Sequence, residues 1–107
     1  MKILLREFDF LQTIYGMQVI DKYLKGSFPF VVWSNGKINV KVGFDFTDNV
    51  PVHIFVYEVN DIAMFEATEF AEELIDNAIK NNEIDMIIKY AAEKFLEILQ
   101  HDEGLIS

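Results

Sequence analysis

The sequence predicts an α+β domain: a three-stranded antiparallel meander with an N-terminal helix and a C-terminal antiparallel helix pair, in the order (β)-α-β-β-β-α-α. Asn35-Gly36 lies between two apolar runs and is a strong hairpin signal, because both residues tolerate positive φ. The run after it alternates apolar and polar residues, as a half-buried strand does. The last third of the chain repeats apolar residues at helical spacing. No stretch resembles a linker, so residues 1–107 are predicted to form one domain.

The N-terminal segment predicts a helix from Asp9 onward. Residues 2–8 fit either a short strand or the first turns of that helix. Asp9 and Gln12 have the spacing of a capping box, and Gly26 is a stop signal. Gly16 weakens the helix by about 1 kcal/mol relative to Ala. The predicted apolar stripe consists of Phe10, Ile14, Met17, Ile20 and Leu24.

Two turns set the predicted register of the sheet. One is a two-residue loop at Asn35-Gly36, and the other is centred between Asp48 and Asn49 and places Phe44 opposite His53. The inner face is then predicted to hold Val31, Trp33, Ile38, Val40, Val42, Phe44, Phe55, Tyr57 and Val59. The outer face is predicted to hold Phe30, Val32, Lys37, Asn39, Lys41, Asp45, Val52, Ile54, Val56 and Glu58. This outer face is too apolar to lie wholly in water, so we expect a helix of this chain or a partner to cover part of it.

Two helices are predicted to close the chain. The first runs from about Ile62 to Lys80 and the second from about Glu83 to Gln100. Their short connection predicts an antiparallel pair.

Charge is distributed unevenly along the chain. Residues 1–44 hold six basic and three acidic residues, a net charge of +3, whereas residues 45–107 hold three lysines and fifteen acids, a net charge of -12. The total of -9 argues against direct binding of nucleic acid, which requires Lys and Arg at the phosphates.

The acids are densest on the first predicted C-terminal helix. Glu66, Glu69, Glu73 and Asp76 follow one another at spacings of three, four and three, and Glu72 lies beside them. Like charges at this spacing destabilise a helix by a few tenths of a kcal/mol per pair, and no lysine intervenes before residue 80. These five residues, the acidic ridge, are the candidate contacts to a basic partner. The alternative is a solvated face that supplies solubility.

No pattern of side chains predicts an enzyme. Cys is absent, which excludes a thiol nucleophile and a thiolate zinc site. His53 and His101 have no ligand spacing to each other, and turn chemistry explains Asp45 and Asp48 better than calcium binding does. We therefore expect no catalytic residue, no metal and no cofactor.

The aromatic residues and the lysines of the sheet are predicted to lie on different faces. On the predicted register most rings point inward, whereas Lys37 and Lys41 point outward. We therefore expect the rings to fill the core rather than to stack on nucleic-acid bases.

Three resemblances follow from this order and charge. The order α-β-β-β-α over about residues 9–80 resembles the double-stranded-RNA-binding domain, but Asp61, Glu66 and Glu69 stand where that family has a lysine cluster. The order and acidity are also similar to class I type III secretion chaperones, which are dimers and usually carry two further strands before the last helix. A short, acidic, cysteine-free chain resembles the accessory proteins of phages and mobile elements, among them anti-CRISPR proteins and DNA mimics. That last resemblance implies an acidic surface that occupies a nucleic-acid channel.

The sequence thus predicts a non-enzymatic protein-binding module that docks its acidic ridge on a basic protein surface, as an inhibitor of a nucleic-acid-handling enzyme. One alternative is an immunity protein for a basic toxin. The other is a homodimeric assembly or chaperone-like protein whose interface on the outer face holds Phe30, Val32, Lys41, Ile54 and Val56. The apolar run at the start of the chain is interrupted by Arg6 and Glu7, which predicts neither a signal peptide nor a membrane span. We expect a cytoplasmic protein, in the host cell if a phage encodes it.

Overall fold

The computed structural model describes residues 1–47, 51–60, 65–66 and 84–106. It contains a five-stranded antiparallel sheet in which the strands neighbour one another in chain order. The predicted α+β class is confirmed, as is an antiparallel meander with helices before and after it. The elements are α1 (Ile3–Glu7), α2 (Phe10–Thr13), β1 (Gln18–Tyr23), β2 (Phe30–Ser34), β3 (Ile38–Phe44), β4 (Val52–Glu58), β5 (Phe65–Glu66), α3 (Ile84–His101) and a final 3-10 turn (Glu103–Leu105).

The N-terminal helix is shorter than predicted, and its second half is a strand. Gly16 ends the helical segment with φ of 69°, and its N–H donates to the carbonyl of Gln12 at 3.1 Å. A left-handed residue of this kind stops a helix, so the stop signal is Gly16 and not Gly26, as predicted from the sequence. Residues 2–8 are helical rather than extended. Asp9 precedes α2 but its side chain makes no capping hydrogen bond, so the predicted capping box is wrong.

Strand β1 explains the failure of the predicted apolar stripe. It pairs antiparallel with β2, and a bulge between Val19 and Asp21 places Ile20 outside the regular register. Ile20 is 59% exposed and Ile14 is 62% exposed, whereas Met17 is fully buried. Pairing with a neighbouring strand overrode the helical periodicity of this segment.

The β2–β3 hairpin forms around Asn35-Gly36, as predicted, with a longer loop. Gly36 has φ of 89°, and the Asn35 Oδ1 accepts hydrogen bonds from the backbone N–H groups of Lys37 and Ile38 at 2.9 and 2.8 Å. Ser34 therefore pairs with Asn39 and not with Lys37. A shift of two residues preserves the side-chain alternation, so the predicted faces of β2 and β3 are correct.

The register of β4 is shifted by one residue from the prediction. Phe44 pairs with Val52 and not with His53, and Val42 pairs with Ile54. Because side chains alternate along a strand, this shift turns every residue of β4 to the opposite face. The predicted inner residues Phe55 and Tyr57 lie on the outer face, and the predicted outer residues Val52, Ile54 and Val56 lie on the inner face.

The core lies between the inner face of the sheet and the helices. Phe8, which follows α1, contacts Trp33 of β2 and Phe95 of α3, with ring centroids 6.1 and 6.5 Å apart. All three side chains are essentially removed from water, and aromatic pairs at this spacing add to the stabilisation from buried area. The buried face of α3 consists of Ile87, Ile88, Ala91, Ala92, Phe95 and Leu99.

Helix α3 confirms the second of the two predicted C-terminal helices, with bounds within one residue of those expected. The first, predicted from about Ile62 to Lys80, is wrong at Phe65–Glu66, which form β5. The rest of that prediction lies outside the described residues.

Candidate functional site

The outer face of the sheet brings together Lys41, Phe30, which was predicted on this face, and Phe55, which was predicted on the inner face. Lys41 lies in the middle strand, paired with Val32 of β2 on one side and Phe55 of β4 on the other. Phe30 and His53 lie on the same face, because they pair with Gly43 two residues further along β3. The interpretation that ring and charge do not coincide is therefore wrong.

Two of the five candidate interface residues do not belong to this outer face. Ile54 is fully buried and Val56 is 5% exposed, and both belong to the core cluster on the inner face. They cannot contact a partner without unfolding β4. Phe30, Val32 and Lys41 do lie on the outer face, as predicted.

Gly43 opens a cleft on the outer face. It stands between Phe30 and His53 in the register and places no side chain in the row. The space above it is part of a cleft of about 320 Å³, named here the outer-face cleft. The described residues that line it are Phe28, Pro29, Phe30, Lys41, Gly43, Phe44, Asp45, His53 and Phe55.

Aromatic rings form most of the wall of the outer-face cleft. The His53 and Phe55 rings are nearly parallel, with an interplanar angle of 6° and centroids 6.1 Å apart. Phe30 is half-buried, and Phe28 is 58% exposed beside the cleft. The cleft therefore offers flat apolar surfaces that are partly open to solvent.

Lys41 supplies positive charge to the cleft. Its Nζ lies 4.7 Å from the centroid of the Phe30 ring, which is within the range of a cation–π contact. None of the carboxylates that the structure describes forms an ion pair with this ammonium group. Its positive charge is thus available to an anion that enters the cleft.

Asp45, the described acid that lines the cleft, is engaged by the loop after β3. Its Oδ1 accepts hydrogen bonds from the backbone N–H of Thr47 at 2.8 Å and from the Thr47 hydroxyl at 2.7 Å. This is the turn chemistry expected of Asp at this position. The carboxylate is therefore used to order the loop.

Two further residues of the outer face are nearly removed from water. Val32, which pairs with Lys41, is 6% exposed and Asn39 is 9% exposed, although both project away from the core cluster. The Oδ1 of Asn39 is buried and accepts no hydrogen bond from another described residue, which is an unfavourable state for an acceptor. The expectation that a helix of this chain or a partner covers part of this face stays a prediction.

The acidic ridge lies almost wholly outside the described residues. Glu66 is placed in β5, where its backbone pairs with Phe55, so it does not share a helix with the others. Glu69, Glu72, Glu73 and Asp76 are not among the described residues.

Other acids of residues 45–107 are exposed in the described part of the chain. They include Glu58 at the end of β4, Glu93 and Glu97 on α3, and Asp102 after it. The described ion pairs include Lys94 with Glu97, at 3.4 Å across one turn of α3. Glu58, Glu93 and Asp102 form no ion pair with another described residue.

Comparisons with protein-family models, with curated proteins and with solved structures found no match to this chain. The functional inference is therefore based on the residues and geometry above. None of the helices that the structure describes is long and apolar enough to cross a membrane.

Proposed function

We propose that the chain is a non-enzymatic protein-binding module whose acidic residues dock on the basic groove of a nucleic-acid-handling enzyme and inhibit it, as a DNA mimic or anti-CRISPR protein does. The observation that carries the proposal is the segregation of charge: +3 over residues 1–44 against -12 over residues 45–107. A protein that needed acid only for solubility would gain the same benefit from acids spread over the whole chain.

The exposed acids support this function because internal ion pairs neutralise few of them in the described part of the chain. Glu58, Glu93 and Asp102 remain in water without a described cationic partner and add to the long-range negative field, but they are not among the ridge residues proposed as contacts. Residues 66–85 add seven acids against Lys80 alone. A concentrated field of one sign accelerates and selects association with a partner of the opposite sign.

A nucleic-acid-binding groove is the kind of partner that this chemistry fits. Such grooves present Lys and Arg at positions that neutralise phosphates. Carboxylates on a protein surface can occupy the same cations and thereby exclude the nucleic acid. A basic toxin would satisfy the same electrostatics, so the identity of the inhibited enzyme distinguishes an immunity protein from a phage inhibitor.

The test compares two charge-reversal variants that carry the same net charge. In the first, Glu69, Glu73 and Asp76 are each replaced by Lys. In the matched control, Glu58, Glu93 and Asp102, exposed residues outside the ridge, are each replaced by Lys. Proteins retained by the immobilised chain are identified, and each is assayed for nucleic-acid processing with and without the chain.

We expect a nucleic-acid-handling enzyme to be retained and inhibited by the natural chain and by the control variant. We expect the ridge variant to lose both effects, and retention to fall steeply as salt rises, because long-range attraction is screened. Equal retention by the ridge variant, retention that does not respond to salt, or a retained protein with unaltered activity would each contradict the proposal.

A further inference from the structure

We propose that the outer-face cleft is a binding site for a planar aromatic carboxylate. This site uses aromatic rings and a lysine instead of acidic residues, so it goes beyond the function proposed above. The proposal stands on three observations: the gap at Gly43, the flat rings around that gap, and the position of Lys41.

Gly43 leaves space that neither the backbone nor the packing requires. Its φ is not among the positive values of the chain's glycines, so a residue with a side chain can adopt its conformation. A Cβ placed there would lie 3.8 Å from the Phe30 Cβ and 3.8 Å from the Pro29 carbonyl oxygen, which is ordinary contact. Glycine inside a strand often marks a place where a ligand approaches the backbone closely.

The shape and lining of the cleft select a flat ligand of modest size. Its volume of about 320 Å³ is near the lower end for small-molecule sites, which are mostly apolar with a few placed polar groups. Parallel rings at His53 and Phe55, with Phe30 across the gap at Gly43, offer faces for stacking. One or two fused aromatic rings match these dimensions.

Lys41 supplies the positive charge that an anion in the cleft would contact. Lys41 holds its ammonium group at the Phe30 ring, and no described carboxylate pairs with it. A cationic ligand that stacked on Phe30 would meet this ammonium group and be repelled. Asp45 also lines the cleft, and its Oδ1 accepts two hydrogen bonds from Thr47, which hold this carboxylate in the loop after β3.

The experiment is an NMR titration of the full chain with 2-naphthoate, followed through backbone amide signals. The neutral isostere 2-naphthamide is the matched probe. Lys41→Gln removes the charge in the cleft, and Lys37→Gln, at an exposed position in the β2–β3 loop, removes the same charge elsewhere. Gly43→Val fills the gap.

We expect 2-naphthoate to shift the signals of Lys41, Gly43 and His53 saturably. Lys41→Gln should weaken binding about fivefold, which corresponds to roughly 1 kcal/mol for a partly exposed ion pair. Lys37→Gln should leave binding unchanged, 2-naphthamide should bind about as weakly as 2-naphthoate binds to Lys41→Gln, and Gly43→Val should abolish binding.

Shifts that do not saturate or that spread over the whole surface would overturn the proposal, as would equal losses in Lys41→Gln and Lys37→Gln. If Gly43→Val does not fold, the two lysine variants and the two probes still decide the question. The titration measures binding of a small molecule and not capture of a basic protein, so its failure is distinguishable from failure of the proposed inhibitor function.

Discussion

Replacing Ile54 and Phe55 separately by Ala tests the register on which the outer-face cleft depends. The two residues are neighbours in β4 and project to opposite faces. Ile54 is fully buried in the core cluster, whereas Phe55 is half-buried on the outer face. Ile→Ala in a core lowers the free energy of unfolding by about 2–5 kcal/mol, because the lost burial adds to the cost of the cavity. Phe55→Ala should cost only about 1 kcal/mol, since that ring already contacts solvent and the space it leaves can fill with water.

The order of the two effects is the informative quantity. Phe is the larger side chain and would cost about 3–5 kcal/mol if it were the buried member of the pair. The register predicted from sequence therefore requires Phe55→Ala to be the more damaging change, and the structure requires the reverse. A domain of this size has only about 5–15 kcal/mol of stability in total, so the difference is measurable. Urea unfolding monitored by the fluorescence of Trp33, which is 1% exposed, gives both values. A larger loss from Phe55→Ala than from Ile54→Ala would refute the register and the cleft with it.

Three further substitutions test other features of the fold. Gly16→Ala should lower the free energy of unfolding by roughly 1 kcal/mol, because Gly16 has φ of 69°. No heavy atom lies within 4 Å of the added Cβ, so the loss would come from the backbone conformation and not from a clash. Gly43→Ala is the control without positive φ and should be nearly neutral in the same urea titration. Asn35→Ala should lower the free energy of unfolding by about 1–2 kcal/mol, because the amide nitrogen donates to the Ile106 carbonyl at 2.7 Å and the amide oxygen accepts two backbone hydrogen bonds. An unchanged melting temperature would contradict a stabilising role of these hydrogen bonds. Asn39→Leu should raise the free energy of unfolding by about 1 kcal/mol, because it removes a buried oxygen that accepts no hydrogen bond from another described residue. A loss of stability would show that this amide is needed where it lies.

The parts of the fold that sequence predicted correctly are those where local chemistry and periodicity agree. Strand β2 is an apolar run and strand β3 alternates apolar and polar residues, with the Asn35-Gly36 turn between them. Helix α3 repeats its apolar residues at helical spacing over 18 residues. The loop of the hairpin is longer than predicted, yet the faces are correct because the shift is an even number of residues. The prediction of one continuous N-terminal helix was wrong because Gly16 ends the helical segment. After Gly16, pairing with β2 determines the structure, although the sequence continues the helical spacing of apolar residues.

Strand β4 could not be oriented from its sequence because both of its faces are apolar. Val52, Ile54 and Val56 form one set, and the other set, His53, Phe55 and Tyr57, is aromatic. Because either set can fill a core, only the length of the connection after β3 decides which set faces inward. The sequence prediction placed the register of β4 one residue away from the observed one. Gly43 was the available signal for the cleft, since glycine inside a strand has no local reason to be there.

The corrected register also changes what the charge distribution means for function. The excess acid of residues 45–107 suggested one interaction surface, and the outer face was the alternative, as the interface of a homodimer. With Phe55 and His53 beside Lys41, that face becomes an aromatic site that includes a lysine from the +3 part of the chain. Lys41→Gln should therefore weaken binding of 2-naphthoate and leave salt-dependent capture of a protein partner intact. Replacing Glu69, Glu73 and Asp76 by Lys should abolish that capture and leave 2-naphthoate binding intact. If either change affects 2-naphthoate binding and partner capture equally, net charge alone governs binding, and the outer-face cleft and the acidic ridge are not separate sites.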